Sequence, residues 1–364
     1  MRIQLVDPSA FTPPYDHALA AALARAGADV ELVTSRFLYG PVPAAEGYRV
    51  SEHFYRRTAR RGLHARGRTA LKLAEHVPDM LRYRRVAERA DLVHWQWLTV
   101  QPLDVRLLAP KRPRILTAHD VLPREPKPGQ VAATRRLVDR LDAVVVHSEH
   151  GAARLRDELG LASDRVRVIP HGAFEHMTRL PEERPLPDEL AAVEGPVVLF
   201  FGLLRPYKGV DVLLDAWRSV TGAELWVVGM PRMPVEPLRA MAPPGVRFVP
   251  RFITDPEIPA YFRRADVVVL PYREIDQSGV LYTALAFGKT LVLSEVGGFA
   301  ELGDCSRLVP AGQPDTLAAA LGELIGNEGE RERLSAAAHS AARGRYSWDA
   351  VADRTMSLYR DLLD

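Results

Sequence analysis

Phe201-Gly202-Leu203-Leu204-Arg205-Pro206-Tyr207-Lys208-Gly209 follows the apolar run Pro196-Val197-Val198-Leu199-Phe200 and leads into Val212-Leu213-Leu214-Asp215-Ala216-Trp217, whose pattern is helical. Strand, small basic turn and helix is the layout of an anion site. The turn admits close backbone approach, and a helix start presents N–H groups that no carbonyl of the helix can take. Arg205 offers a planar fork to phosphate oxygens and Lys208 a point charge. The competing reading is a surface turn whose cations simply face water. Parallel sheets bind ligands at the carboxyl ends of their strands, and this favours a grip on phosphate or diphosphate.

The same alternation extends in both directions. Downstream, strands are expected at Val197 to Phe201, Glu224 to Val228, Val246 to Val249, Val267 to Leu270 and Thr290 to Leu293, with helices between them, notably Glu257 to Arg264 and Gly279 to Phe287. Upstream, β-rich runs at Ile3 to Val6, Val30 to Thr34, Leu92 to Trp95, Arg114 to Ala118 and Ala143 to His147 are separated by helical stretches such as Asp16 to Ala26. Strands alternating with helices imply parallel sheets with crossover helices. Between the halves, Leu180-Pro181-Glu182-Glu183-Arg184-Pro185-Leu186-Pro187-Asp188 is polar and proline-rich, as linkers are. The expected division is a first α/β domain over 1–178, a linker over 179–195, a second α/β domain over 196–346 and a last helix over 347–364 that opens on Ser347.

The bulk numbers fit this division. A chain of 364 residues suits two domains, each with its own core, and 47% hydrophobic with 26% charged residues is ordinary for a soluble globular enzyme. A net charge of +2 does not point to nucleic acid. Cys305 is the only cysteine, so no intrachain disulfide forms, and a reducing cytoplasm is the expected compartment. The first apolar run, Met1 to Val6, stops at Asp7-Pro8 and is too short for a secretory core, and no stretch is long enough to span a bilayer. No Cys/His cluster has zinc spacing, and no metal or other cofactor is expected.

A second constellation narrows the reading. Ala265-Asp266-Val267-Val268-Val269-Leu270-Pro271-Tyr272 is followed by Gln277-Ser278-Gly279-Val280-Leu281, then by Ala284-Leu285-Ala286-Phe287-Gly288-Lys289 and Val296-Gly297-Gly298-Phe299-Ala300-Glu301. With Gly202 to Gly209, the order and spacing of these pieces resemble the donor domain of retaining GT-B glycosyltransferases of family four. The resemblance is close over 196–310. It extends more loosely through Thr117-Ala118-His119-Asp120, Val168-Ile169-Pro170-His171-Gly172 and Tyr346-Ser347-Trp348.

The resemblance implies two Rossmann-like doubly wound domains facing across a cleft. The C-terminal one would hold a nucleotide-sugar and the N-terminal one a hydroxyl acceptor. It assigns Arg205 and Lys208 to the leaving diphosphate, and His119 to the donor sugar. Gly202 and Gly229 would line the nucleotide pocket, with Phe252 and Ile253 near the base. The N–H groups of Ser278, Gly279, Val280 and Leu281 would lie near phosphate. Many members carry two glutamates separated by seven residues. Here Thr283 stands at the second place and Ile275 at the first, flanked by Glu274 and Asp276, either of which is a candidate for the sugar contact. The expected reaction is retaining glycosyl transfer, with positioning and electrostatics as the protein's work. A non-catalytic sugar-nucleotide-binding protein and a GT-B nucleotide-sugar epimerase are the alternatives. Arg56, Arg57, Arg60, Arg61, Arg66 and Arg68 form a basic run that is either a solvated face or a contact for an anionic or lipid-linked acceptor at a membrane surface.

Overall fold

The computed structural model describes residues 1–62, 67–109, 113–122 and 128–364. The chain forms two compact units, Met1–Gly172 together with Trp348–Asp364, and Ala173–Ser347.

In the first unit seven strands make one parallel sheet: β1 (Arg2–Asp7), β2 (Asp29–Ser35), β3 (Arg49–Phe54), β4 (Leu92–Trp95), β5 (Arg114–Thr117), β6 (Ala143–Val146) and β7 (Val166–Val168), in the order β3-β2-β1-β4-β5-β6-β7. Central strands such as Ala143-Val144-Val145-Val146 are buried throughout, because helices cover both faces of a parallel sheet. One face packs on Met80, Tyr83, Val105 and Leu137. The other packs on Leu19 and Leu23 of the helix Pro13–Arg25 and on Val351, Met356 and Tyr359 of the helix Trp348–Leu363. The end of the chain therefore completes the first unit's core. A Cβ on Gly172 would lie 2.4 Å from the Trp348 ring, so only glycine admits this indole.

The second unit repeats the theme with β8 (Val197–Phe201), β9 (Glu224–Val228), β10 (Val246–Val249), β11 (Val267–Leu270), β12 (Thr290–Ser294) and β13 (Arg307–Val309), all parallel, in the order β10-β9-β8-β11-β12-β13. The five strands expected here form close to their expected bounds, because each is mostly β-branched or apolar. β3, β7 and β13 were not expected. Arg49-Val50-Ser51-Glu52-His53-Phe54 is an edge strand with an exposed half, and it carries no apolar run.

The boundaries differ from those expected. Residues 173–178 belong to the second unit, where Ala173 is buried and its N–H donates to the Tyr346 carbonyl at 2.7 Å. The polar stretch 179–195 is part of that unit rather than a free connection. Leu190 lies in its core, Arg184 N–H donates to the Pro256 carbonyl at 2.7 Å, and Arg264 donates to the carbonyls of Val193 and Gly195. Prolines and charges gave this stretch its linker composition, yet one buried leucine and backbone hydrogen bonds suffice to dock it.

Candidate functional site

The order of the second sheet reverses between β8 and β11, and the loops that leave these two strands are where such a sheet opens a ligand crevice. A pocket lies there. It is lined by Gly202 and Leu203 after β8, Gly229 and Met230 after β9, Phe252 and Ile253 after β10, and Ile275, Gln277, Ser278, Gly279 and Val280 after β11, with Tyr207 and Lys208 from the basic turn. Backbone closeness makes its floor. Gly229 has φ +140°, and a Cβ there would lie 1.9 Å from the Gly202 carbonyl oxygen. Any side chain at Gly229 would force the ends of β8 and β9 apart.

Lys208 is 7% exposed. Its Nζ donates to Tyr272 Oη at 2.8 Å and stands 4.6 Å from the centroid of the same ring. The ammonium is thus held at the pocket wall by a buried neutral partner, and the ring face adds a cation–π term. Arg205 opens the turn Pro206–Lys208. Its guanidinium is exposed and hydrogen-bonds to none of the described residues. Arg273 fastens the turn from behind, donating to the Pro206 carbonyl at 2.8 Å and to Asp211 Oδ1 at 2.9 Å. Its hydrogen bonds, with its positive charge, hold the Asp211 carboxyl below the usual range.

The helix Gly279–Ala286 starts at the pocket. The N–H groups of Gly279 and Val280 meet no acceptor among the described residues, so the helix presents them outward. Ser278 N–H donates to Gln277 Oε1 at 3.2 Å and Gln277 Nε2 donates to Tyr282 Oη at 3.0 Å, which fixes the entry to the helix.

Eight residues selected from the sequence are therefore gathered in one pocket: Gly202, Lys208, Gly229, Phe252, Ile253, Ser278, Gly279 and Val280. Leu281 is not among its lining residues and packs in the core instead, at 1% exposure. Glu274 and Asp276 do not line it either; the residue between them, Ile275, does. Ile275 is buried, whereas Glu274 is exposed and Asp276 half-buried. Thr283 also stands off the lining, and its hydroxyl donates to the Gly279 carbonyl at 3.0 Å. That back-bond leaves no carboxylate-like pair of acceptors at this position. Tyr207, Tyr272 and Arg273 were not selected as site residues. The tyrosine that ends the strand run Val267-Val268-Val269-Leu270-Pro271-Tyr272 was the available signal for Lys208's partner.

His119 belongs to the first unit, in the loop after β5, and is nearly buried. It stacks on Trp97 at 5.2 Å between ring centroids and meets the edge of Tyr15 at 4.7 Å. Its protonation pattern follows from its neighbours. The Ile169 carbonyl only accepts, so His147 Nδ1, 2.9 Å away, carries a hydrogen. The neutral His147 ring then accepts at Nε2 from His119 Nδ1–H at 3.3 Å. His119 Nε2 is left as a bare acceptor, shut from solvent and without a hydrogen-bond partner among the described residues. Neutrality is secured by burial, which pushes His147 down to about 4 and His94 to about 3, and holds His119 and His171 well below the usual imidazole range. The ring that orients His119 is His147, in the loop after β6.

The basic run divides. Arg56, Arg57, Arg60 and Arg61 are exposed, Arg66 lies outside the described residues, and Arg68 turns into a pocket of the first unit. Among the described residues no helix is long and apolar enough to cross a membrane.

Two parallel-sheet Rossmann-like units with a basic turn at the second sheet's crossover define the GT-B architecture, and the comparisons with known proteins agree. The profile of the glycosyl transferases group 1 matches residues 195–327, and that of Glycosyltransferase Family 4 matches residues 15–173. The chain is 30% identical over 295 residues to a D-inositol 3-phosphate glycosyltransferase of Xylanimonas cellulosilytica, covering 72% of this chain and 68% of that protein. It is 38% identical over 177 residues to the phosphatidyl-myo-inositol mannosyltransferase of Mycobacterium leprae, covering 45% of this chain and 46% of that one. Among solved structures, a sucrose-phosphate synthase from Thermosynechococcus elongatus superposes with a TM-score of 0.76 at 20% identity, over 100% of this chain and 99% of that one. HepE of Anabaena, solved in complex with UDP-glucose, superposes at 0.74 and 18% identity, with both chains covered in full. The chain belongs to glycosyltransferase family 4 and is a glycosyltransferase.

Proposed function

We propose that this glycosyltransferase moves a sugar from a nucleoside-diphosphate sugar to a hydroxyl acceptor with retention of anomeric configuration. One observation carries the reading. A buried ammonium, Lys208, and the outward N–H groups of Gly279 and Val280 share a single pocket at the second unit's crossover. Two kinds of anion donor converging on one space suit a diphosphate. Support from outside comes from the family and from the UDP-glucose complex of a protein with this fold.

The roles follow from the chemistry. As the bond from the anomeric carbon to the diphosphate oxygen lengthens, negative charge grows on the diphosphate, and donors already in place stabilise it without reorganising. We assign this work to Lys208, to Arg205 in the same turn and to the helix start, rather than to a metal ion. The acceptor hydroxyl attacks from the face the diphosphate leaves, and the departing phosphate oxygen takes its proton. We give His119 Nε2 the task of accepting a hydrogen bond from a sugar hydroxyl, since it is a pre-set acceptor with no partner among the described residues. Phe252 and Ile253 would pack on the base. The acceptor belongs to the first unit in this reading, and the enzyme to the cytoplasm.

The test is a panel of UDP-, GDP-, ADP- and dTDP-sugars, read by thermal shift and by slow donor hydrolysis. The expected result is one nucleotide series that stabilises the protein and is turned over, with product retaining the donor's anomeric configuration by NMR. Activity should persist in a chelator. No response to any donor, or inverted product, would defeat the reading.

A further inference from the structure

The first sheet reverses its order between β1 and β4, and hydrogen bonds tie together the segments that leave these two strands. Asp7 ends β1 and is fully buried. Its Oδ1 accepts from the N–H of Ser9 at 3.0 Å, and its Oδ2 from those of Phe11 at 2.5 Å and Thr12 at 3.3 Å. Ala10, inside this loop, takes a left-handed backbone, φ 48°. A residue with a Cβ holds that conformation only where its surroundings enforce it, and the bonds to Asp7 on both sides of Ala10 do so.

Asp16 is buried on the first turn of the helix Pro13–Arg25 and hydrogen-bonds Asp7. Burial, the charge of Asp7 and the bond to it raise the Asp16 carboxyl well above the usual range. Two adjacent buried carboxyls do not both ionise, so Asp16 keeps the proton it donates and Asp7 carries the charge. Thr12 Oγ1–H donates to Asp16 Oδ1 at 3.4 Å, and the same oxygen accepts from Trp97 Nε1–H at 2.9 Å. Every link therefore runs one way, from the indole to Asp7. At the indole end, the Trp97 ring lies 5.2 Å from that of His119 at an interplanar angle of 16°. Phe11 of the same loop packs against Trp97 at 5.2 Å, and Tyr15, next to Asp16, meets the edge of the same imidazole.

We propose that Asp7, Asp16 and Thr12 are positioning residues for the transfer: their one-proton chain fixes Trp97, and Trp97 fixes the plane in which His119 Nε2 meets the sugar. The effect on transfer rests on the role given to His119 above; the link from Asp7 to Trp97 does not. Loss of the shared proton sets two charges side by side and deprives Asp7 of a donor, so the loop and the indole loosen as pH rises. The other titratable groups around the pair are Tyr15 and His17 on the same helix, Tyr48 and Glu52 at β3, and Lys72 on the helix Arg68–Ala87. Burial keeps both tyrosines protonated and His17 neutral, and Lys72 is the one cation in this set.

The experiment uses the full chain with the donors of the panel, and follows the Trp97 indole N–H by NMR, assigned through Trp97→Phe. Thr12→Val deletes one hydroxyl and Asp16→Ala one carboxyl. Each should shift the indole resonance and lower kcat by about tenfold, the scale of one buried hydrogen bond, with KM for the donor within about threefold of the parent. Asp16→Asn still donates to Asp7 and accepts from Thr12. It should bring kcat to within about threefold of the parent and return the indole to the parent position. Toward alkaline pH the parent should lose kcat, Lys72→Arg should lose it likewise, and Asp16→Asn should keep it. The proposal is overturned if Asp16→Asn is as slow as Asp16→Ala, if the alkaline loss survives in Asp16→Asn, or if Thr12→Val leaves the indole resonance in place. An indole that follows the variants in a chain that turns over no donor would defeat the transfer reading while upholding the chain from Asp7 to Trp97. Turnover at the parent rate in both Thr12→Val and Asp16→Ala would defeat this inference alone.

Discussion

Lys208 is where the basic turn meets the pocket. Its ammonium is removed from water, and Tyr272 supplies both an oxygen and a ring face to hold it. Tyr272→Phe keeps the ring and deletes the oxygen. The chain should fold normally, and kcat should fall by about tenfold, the cost of loosening one charge-bearing hydrogen bond in a pre-organised group. Steady-state kinetics with the donor found by the panel reads this directly, and an unchanged kcat would show that Tyr272 merely fills space. Of the charged residues chosen from the sequence, Lys208 lines the pocket and Glu274 and Asp276 do not. Lys208 and the helix start were legible because strand, turn and helix announce them in order. Glu274 and Asp276 were chosen as the carboxylates nearest a gap in a pattern. Which of three consecutive residues faces a pocket depends on backbone path, and here it is the uncharged Ile275. His119's partner was equally invisible, since His147 is brought to it by strand pairing of β5 with β6 and not by nearness in the chain.

At the level of elements, the pocket floor depends on how closely two strand ends approach. Gly229→Ala places a methyl group 1.9 Å from the Gly202 carbonyl oxygen, a separation no rotamer change relieves. The strands must part, and a loss of about 2 kcal/mol or more is expected, read as a lowered midpoint in denaturant unfolding. The basic turn has its own fastening. Arg273→Ala removes the donor to the Pro206 carbonyl and the partner of Asp211, both largely solvent-exposed contacts, so stability should change by less than about 1 kcal/mol. Nucleotide affinity should fall by more than stability does, because the turn that carries Arg205 and Lys208 loses its anchor. Equal loss of both would mean Arg273 is structural only. Buried strands were legible from their apolar runs, whereas β3 and the docked stretch 179–195 were not. An edge strand shows water one side, and a proline-rich segment can still be held by its backbone, so composition alone misplaces both.

Across the whole chain, the first unit is closed by its own terminus. Deleting Trp348–Asp364 would strip Val351, Met356 and Tyr359 from a core face and break the Tyr359 Oη contact to His94 Nδ1 at 2.7 Å. The first unit of the truncated chain should lose cooperative unfolding. The same unit carries neutral buried imidazoles, and this sets its response to acid. Burial places His17 and His147 at about 4 and His94 at about 3, against about 6.5 when unfolded, and His119 and His171 shift the same way. Below pH 6.5 the unfolded chain binds protons that the folded chain refuses, so stability is full above that pH and falls as pH drops. The cost approaches about 1.4 kcal/mol per pH unit for each such imidazole. Asp7 and Asp16, raised by burial, act in the opposite sense, since the folded state keeps their proton to higher pH. Five imidazoles outweigh one coupled carboxyl pair, and Tm should fall between pH 7 and pH 5. A Tm that rises over this range would mean that the carboxyl pair dominates.

The account turns on Lys208 as the cation of a diphosphate site. The deciding measurement is kcat/KM of Lys208→Ala against the parent protein, with the donor that the parent turns over and with both proteins shown folded by thermal unfolding. Loss of a transition-state charge partner predicts a fall of about 100-fold or more, mostly in kcat. Activity within a few-fold of the parent would contradict the account and place the diphosphate elsewhere.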